Sequence, residues 1–373
     1  MDRPDLLVIG GGIAGVSAAI RAAEAGARVC VIDSGQNAGS NANAGSLHVQ
    51  LQSRFIRLYP DQAPNVEASL PLYLDAVAEW KRLDAAHGPF ELVSKGGLML
   101  AESIDQLRFL EHKARREVTF GLNVDILERA DLDRIAPWLG PQIIGAELCH
   151  DEGKLNPLVA NARLRAHAQT LGVTFVNDRI TALESGPRAR AVGKVIYEGA
   201  RIVVATAWGS GGVLAGLGLN LPARAEPLHM NITEPGAAMI GQLIQHAERS
   251  ITLKQFVSGQ IVIGGGWPAL SRGDDAVPGV LAASILGNVA LAARLVPAIA
   301  GLRVLRTWAG MNTTVDGKTI LGPVPGAAGI VVAVPGDAGY TLGPLCGRVA
   351  AELALDLPAA IDPAPYSPAR FRA

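Results

Sequence analysis

At 373 residues, 49% of them hydrophobic and only 5% aromatic, the chain is long enough for roughly two domains built on aliphatic cores. A formal charge of -1 with no basic run argues against nucleic acid or an anionic membrane surface as the main partner. Cys30, Cys149 and Cys346 are far apart and show no C-x-x-C or metal-type spacing. Neither a disulfide scaffold nor a metal site is indicated. The chain passes from MDRPD directly into a strand, and no uninterrupted apolar stretch approaches the ~20 residues of a membrane span. A soluble, cytoplasmic protein is expected.

In chain order, LLVIG predicts a buried parallel strand, followed by Gly10-Gly11-Gly12-Ile13-Ala14-Gly15, a helix of small residues to about Ala25, and a second strand, ARVCVID, ending on Asp33. This is G-x-G-x-x-G in its strand-turn-helix setting. Gly10 permits the tight turn, Gly12 the approach of a pyrophosphate to the backbone, and Gly15 close packing of helix on strand. The N–H groups opening the helix at Ile13 and Ala14 face the phosphates. Asp33, with Ser34 beside it, is placed for a ribose diol. The motif does not distinguish FAD from NAD.

SNANAGSLHVQ follows, with no helical or strand period. QSRFIRLYP then brings Arg54 and Arg57, whose guanidinium forks suit a carboxylate but whose commoner fate is the surface. ASLPLYLDAVAEWKRL predicts a helix with Leu70, Leu74, Val77 and Leu83 on one face. GGLMLA predicts a strand, IDQLRFLEHKARREV a helix, and RADLDRIAP a helix start that Asp131 is suited to cap. VTFV, KVIY and RIVVATA are strand patterns, and MNITEP, SITLKQF and QIVIGGGW are sheet strands. VLAASILGNVALAARLVPAIA is a long apolar helix. GIVVAVPG then opens on PGDAGYTLGPLCGRVAAELAL, where Pro344 suits the first turn of a helix carrying Leu345, Val349 and Leu353 on one face. The Pro-rich DPAPYSPARFRA has the composition of a mobile end. A second glycine-rich loop delivering a helix, more than three hundred residues after the first, is explained better by a flavin domain assembled from both chain ends than by a compact NAD domain.

VIGGGIAGVSAAIRAAEAGARVCVID, SNANAGSLHVQ, LNPLVANARLRAHAQTLGVTF, RIVVATAW, WAGMNTTVDGKTILG and PGDAGYTLGP occur in the order of the D-amino-acid oxidase superfamily of FAD enzymes. The chain resembles that superfamily over nearly its whole length. It is most similar to the β subunits of hetero-oligomeric opine, hydroxyproline and related amino-acid dehydrogenases. The resemblance implies an α/β fold, a Rossmann-like FAD domain (1–69, 142–221 and 306–373) with an inserted α+β substrate domain (70–141 and 222–305) whose antiparallel sheet roofs the flavin. It also implies that Asn41, Asn43, Ala44, Gly45 and Ser46 run along the pyrophosphate to the ring, that Ile180 meets adenine through its backbone, and that Ala205, Gly310, Gly336, Asp337, Gly339, Tyr340 and Thr341 border the cofactor. His48 falls beside the ring, either acting on substrate or serving as a satisfied loop histidine.

The implied activity is hydride transfer from an amino-acid or opine amine to flavin N5. Sarcosine oxidases have a carboxylate-binding Lys where Gly343 stands, so Arg54, Arg57 and the Tyr340 hydroxyl are left as carboxylate candidates, though Tyr340 has the alternative of packing on the flavin edge. The oxygen-promoting Lys of those enzymes matches Val262, so no charge is expected there unless another residue supplies it. Electrons are accordingly expected to leave to a partner subunit carrying a further redox centre. A stand-alone amino-acid or sarcosine-type oxidase using oxygen, an NAD dehydrogenase and a non-catalytic FAD-binding subunit remain the alternatives.

Overall fold

The computed structural model describes residues 3–36, 39–184 and 186–372, and of Arg54 the backbone alone. Leu6–Ile9 is buried on both faces, as a continuous apolar run must be when helices cover a parallel sheet on either side. It lies inside a six-stranded sheet ordered Ile320–Pro323, Ile330–Val334, Arg201–Val204, Leu6–Ile9, Val29–Asp33, Thr174–Asn177. All neighbours are parallel except the edge strand Ile320–Pro323. The sheet thus draws its strands from both ends of the chain and from its middle.

The helix Ile13–Glu24 leaves the first strand, and Gly339–Ala354 leaves Ile330–Val334; the two pack side by side. Their close approach depends on glycine. A Cβ on Gly347 would lie 2.0 Å from Ala14 O, and one on Gly343 2.5 Å from Ile13 Cγ2. The two N-termini are therefore held at the same edge of the sheet.

A second sheet has eight strands, in the order Val304–Thr314, Arg224–Thr233, Ile261–Gly264, Thr252–Gln255, Leu243–His246, Gly97–Ala101, Gly145–Cys149, Val124–Glu128. It is antiparallel except where Leu243–His246 joins Gly97–Ala101. Strand alternation assigns its faces. Leu98, Ile244, Leu253, Ile261 and Ile263 enter one apolar core with Ala292 and Leu295 of the helix Ala282–Leu295. Gln245, Thr252, Lys254 and Gly264 fall on the opposite register and border the main cavity. The expected α/β fold, a Rossmann-like sheet with a separate, largely antiparallel one, is what forms.

Several local expectations need correction. Gly145–Cys149 and most of Val304–Thr314 pair within the second sheet, so the boundaries drawn at 141/142 and 305/306 move past those strands. Aperiodic SNANAG overlaps a short helix, Gly39–Ala42. The C-terminal segment packs rather than floating: Tyr366 is buried and the Arg370 guanidinium donates to both Asp316 carboxylate oxygens at 3.0 Å. Asp131 acts as the third residue of a capping box, accepting from the Glu128 N–H at 3.1 Å.

The last helix begins at Gly339, five residues ahead of Pro344, which lies inside it. Proline has no N–H to donate to the carbonyl four residues back, here that of Tyr340. Trp80 supplies the donor instead: its Nε1 is 3.1 Å from both Tyr340 O and Thr341 O.

Candidate active site

Between the two sheets lies a cavity of about 790 Å³, in the upper part of the range for ligand pockets. Its floor is the carboxyl edge of the parallel sheet. Gly10, Gly12, Ile13, Ala14, Asp33, Ser34, Ile180 and Ala205 line one part; Asn43, Ala44, Ser46 and His48 continue along it; Gly310, Gly336, Asp337, Gly339, Tyr340 and Thr341 close it. Residues from three distant segments are thus brought to one cavity. Gly10, at φ +101°, could not carry a side chain, since a Cβ there would lie 2.4 Å from Ala205 O. Gly15 and Gly45 act behind the wall, where a Cβ would strike Gly10 O at 1.8 Å and Leu155 O at 2.1 Å. Asn41 borders a neighbouring hollow with Gly11, Gly12 and Asn161.

Side chains fix these turns. The Asp33 carboxylate accepts from the Gly11 N–H and, at 2.6 Å, from the Gly35 N–H. Ser40 Oγ accepts from the Ile13 N–H at 2.9 Å, meeting one of the unpaired donors of the helix start. Trp308 Nε1 donates to Ala42 O at 2.8 Å, pinning the short helix to the second sheet, and Gly310 admits the contact because a Cβ there would lie 2.4 Å from Ala42 Cβ.

The segment after Gly45 is held from below by Glu152, which is fully buried. Its carboxylate accepts from Val49 N at 2.9 Å, Gln50 N at 3.3 Å, Gln50 Nε2 at 2.8 Å and Gln245 Nε2 at 2.7 Å. The His48 N–H donates to Thr341 Oγ1 at 3.1 Å, joining this segment to the last helix. The His48 ring borders the cavity, and its Nδ1 faces Glu152 at 3.7 Å, beyond hydrogen-bond distance.

Of the expected carboxylate ligands, Arg57 and the Tyr340 hydroxyl are engaged elsewhere. Arg57 lies away from the cavity, with its guanidinium 4.1 Å from the centre of the Phe109 ring and 3.6 Å from Glu248. The Arg54 side chain is outside the described residues. Tyr340 is buried and stacks on Trp80 at 5.1 Å, and its hydroxyl is engaged by Asn161 Oδ1 at 3.0 Å. In this arrangement Arg57 is outside the cavity lining and the Tyr340 hydroxyl is taken by Asn161.

Lys254, a cation that sequence reasoning did not single out, lies at the cavity instead. It is fully buried, borders the cavity, and donates from Nζ to Ser46 Oγ at 2.6 Å. Among the described residues it has no carboxylate partner. Burial, and then the nearby Lys154 charge, bring its pKa down to about 7. Strand register places it directly opposite Val262. The charge missing at Val262 is therefore present one strand away. A single charged residue within SITLKQF, on the face opposite Leu253, was the available signal. At the other side of the cavity, burial and then the Glu226 carboxylate raise Asp337 to about 7.

Comparison with known proteins agrees with this architecture. Residues 5–353 match the family model for DAO, FAD dependent oxidoreductase; the chain belongs to that family and is an FAD-dependent oxidoreductase. It is similar to a glycine oxidase of Pseudomonas putida, 27% identical with 97% of this chain and 98% of the relative covered. It also resembles one subunit of an opine oxidase of Rhizobium meliloti, 25% identical over 86% and 85% of the two chains. The solved glycine oxidase of Geobacillus kaustophilus superposes with a TM-score of 0.85, at 21% identity and 98% coverage of each chain.

The residues present suit the family's cofactor. The last glycine turn leaves the cavity side open, where a Cβ on Gly339 would meet nothing within 4 Å, and two helix N-termini open on one cavity. Each offers N–H groups and the positive end of a dipole to an anionic ligand.

Proposed function

We propose that this enzyme oxidises the primary or secondary amine of an amino acid or opine to an imine, which water then hydrolyses. Lys254 is the observation that carries the reading: a buried ammonium group with no carboxylate partner among the described residues, facing a cavity bordered by the cofactor loops. Such a group pairs readily with a substrate carboxylate. The names of the relatives, glycine oxidase and opine oxidase, support the same substrate class. Bound FAD would supply the hydride acceptor.

The chain's part is then to hold and orient. Gly10, Gly12, Ile13, Ala14, Asp33 and Ser34 would hold the adenosine and pyrophosphate, with Ile180 at adenine. Asn43, Ala44 and Ser46 would line the path toward the ring, and Lys254 would fix the carboxylate beside it. Leu228 and Met230, on the roof, help exclude water. The Gly339 helix terminus directs positive dipole at the charge that develops on reduction.

We further propose that electrons pass to a partner subunit or carrier, a reading supported by the similarity to an opine oxidase subunit. Lys254 favours a second one, direct use of oxygen, since a buried cation stabilises developing superoxide. Anaerobic addition of amino-acid and opine candidates should bleach the flavin absorbance; no bleaching by any of them would defeat the proposed activity. Turnover with oxygen and with a dye at saturating substrate separates the two acceptors. Peroxide formation as fast as dye reduction, by a free monomer, would exclude the partner.

A further inference from the structure

Away from the cavity, three helices end at one point. Glu24 is the last residue of Ile13–Glu24, His87 the last of Leu70–His87, and His167 lies in the final turn of Pro157–Thr170. The two imidazoles stack with centroids 3.9 Å apart and planes 28° from parallel. Nε2 of His87 and Nε2 of His167 are both buried and have no hydrogen-bond partner. His167 Nε2 is 4.0 Å from a Glu24 carboxylate oxygen. One ligand atom from each of the three residues lies within 4.8 Å of the others.

We propose that Glu24, His87 and His167 form a binding site for a divalent transition-metal cation, zinc by preference. Two neutral imidazoles and a carboxylate are a donor set that zinc takes readily, with the fourth position left to water. Tetrahedral ligands at about 2.0–2.1 Å from zinc stand roughly 3.3–3.5 Å apart, so closure needs side-chain movement of about an ångström. Two features favour the cation. The negative ends of three helix dipoles converge there. A metal gives both orphan nitrogens a partner, where leaving them buried and unpaired costs free energy.

None of the three residues borders the main cavity. The site would tie the phosphate-facing helix Ile13–Glu24 to the helix whose Trp80 caps the Tyr340 carbonyl. It is a structural clamp, and it does not depend on the substrate proposed above.

Untagged protein holding FAD, freed of metal by dialysis against a chelator, is titrated with zinc chloride in competition with a chromophoric chelator. One zinc per chain is expected, with a Tm rise of roughly 3 °C at a hundredfold excess over Kd. His87→Ala and His167→Ala should each weaken binding by at least about tenfold, and Glu24→Gln by less. Flavin absorbance and circular dichroism check that the variants fold. No saturable zinc uptake in the micromolar range, or wild-type affinity in the double histidine variant, overturns the site. Should a histidine variant lose its fold, electron paramagnetic resonance of the Cu2+-loaded wild type decides: two imidazole nitrogens are expected, and one or none refutes the assignment.

Discussion

Replacing Lys254 by Met should weaken substrate binding and strengthen the fold at the same time. The side chain is fully buried, and burial brings its pKa from 10.5 to about 7. Between those two values the unfolded chain binds a proton that the folded chain does not. The stability present above about 10.5 is therefore lost as pH falls toward 7, an effect on the order of 5 kcal/mol if taken alone. Met removes the desolvation cost, less what is lost with the hydrogen bond to Ser46, and Tm at neutral pH should rise by a few degrees. Binding responds in the opposite sense. A charge-assisted bond to a buried carboxylate is worth about 1.5–3 kcal/mol, so affinity should drop roughly ten- to hundredfold. A carboxylate lacking an amine isolates this effect, because no substrate ammonium then titrates. Its Kd, followed by flavin difference absorbance, should be lowest near pH 6. It should rise above about pH 7 by up to tenfold per unit in the wild type, and stay flat in Lys254→Met. Equal affinity of the two proteins near pH 6, or a flat wild-type profile, would refute the role of Lys254.

Asp33→Ala removes the acceptor proposed for a ribose diol, which also takes the Gly11 and Gly35 N–H groups; each such bond is worth about 1.5–3 kcal/mol, and full flavin occupancy after dialysis would contradict the assignment. Gly347→Ala forces a methyl to within 2.0 Å of Ala14 O. Overpacking of about 1–3 kcal/mol should lower Tm by roughly 1–4 °C and loosen FAD, and an unchanged melt would show that the helices can separate freely. Glu152→Ala strands the buried donors of Val49, Gln50 and Gln245; at about 1–3 kcal/mol for each group left unpaired, the Tm should fall further than in Gly347→Ala, and a smaller fall would mean that the segment carrying His48 is held elsewhere.

The parallel sheet and its first turn were legible because their signals are local: LLVIG, three spaced glycines and a terminal acid all lie within one strand-turn-helix unit. The position of the polar segment directly after that unit is enough to bring Asn43, Ala44 and Ser46 to the cavity, while Asn41 borders a neighbouring hollow and Gly45 packs behind the wall. Pro344 misled because a proline inside a helix is ordinarily excluded by the carbonyl it leaves unpaired. Here the missing donor comes from Trp80, 260 residues before Tyr340, and no window of sequence contains both. Asp131 does help cap its helix, but as the third residue of a box whose N-cap is Glu128.

Lys254, the carboxylate ligand proposed above, escapes a reading of the sequence for a reason that belongs to sheets. Matching one position at a time along QIVIGG asks whether Val262 is charged, and sliding the match by one asks the same of Ile261 and Ile263. None is. Yet a cavity wall is made of side chains that share a face across strands, and the neighbours of Val262 on that face come from other segments. The antiparallel turn between Thr252–Gln255 and Ile261–Gly264 sets Lys254 opposite Val262, so charge can move from one strand to the next with little displacement in space. The alternation in SITLKQF already separated Leu253, which enters the core, from Thr252 and Lys254 on the other face. What it lacked was the knowledge that both faces are buried, one by apolar packing and the other under the cofactor loops, where Ser46 meets the ammonium.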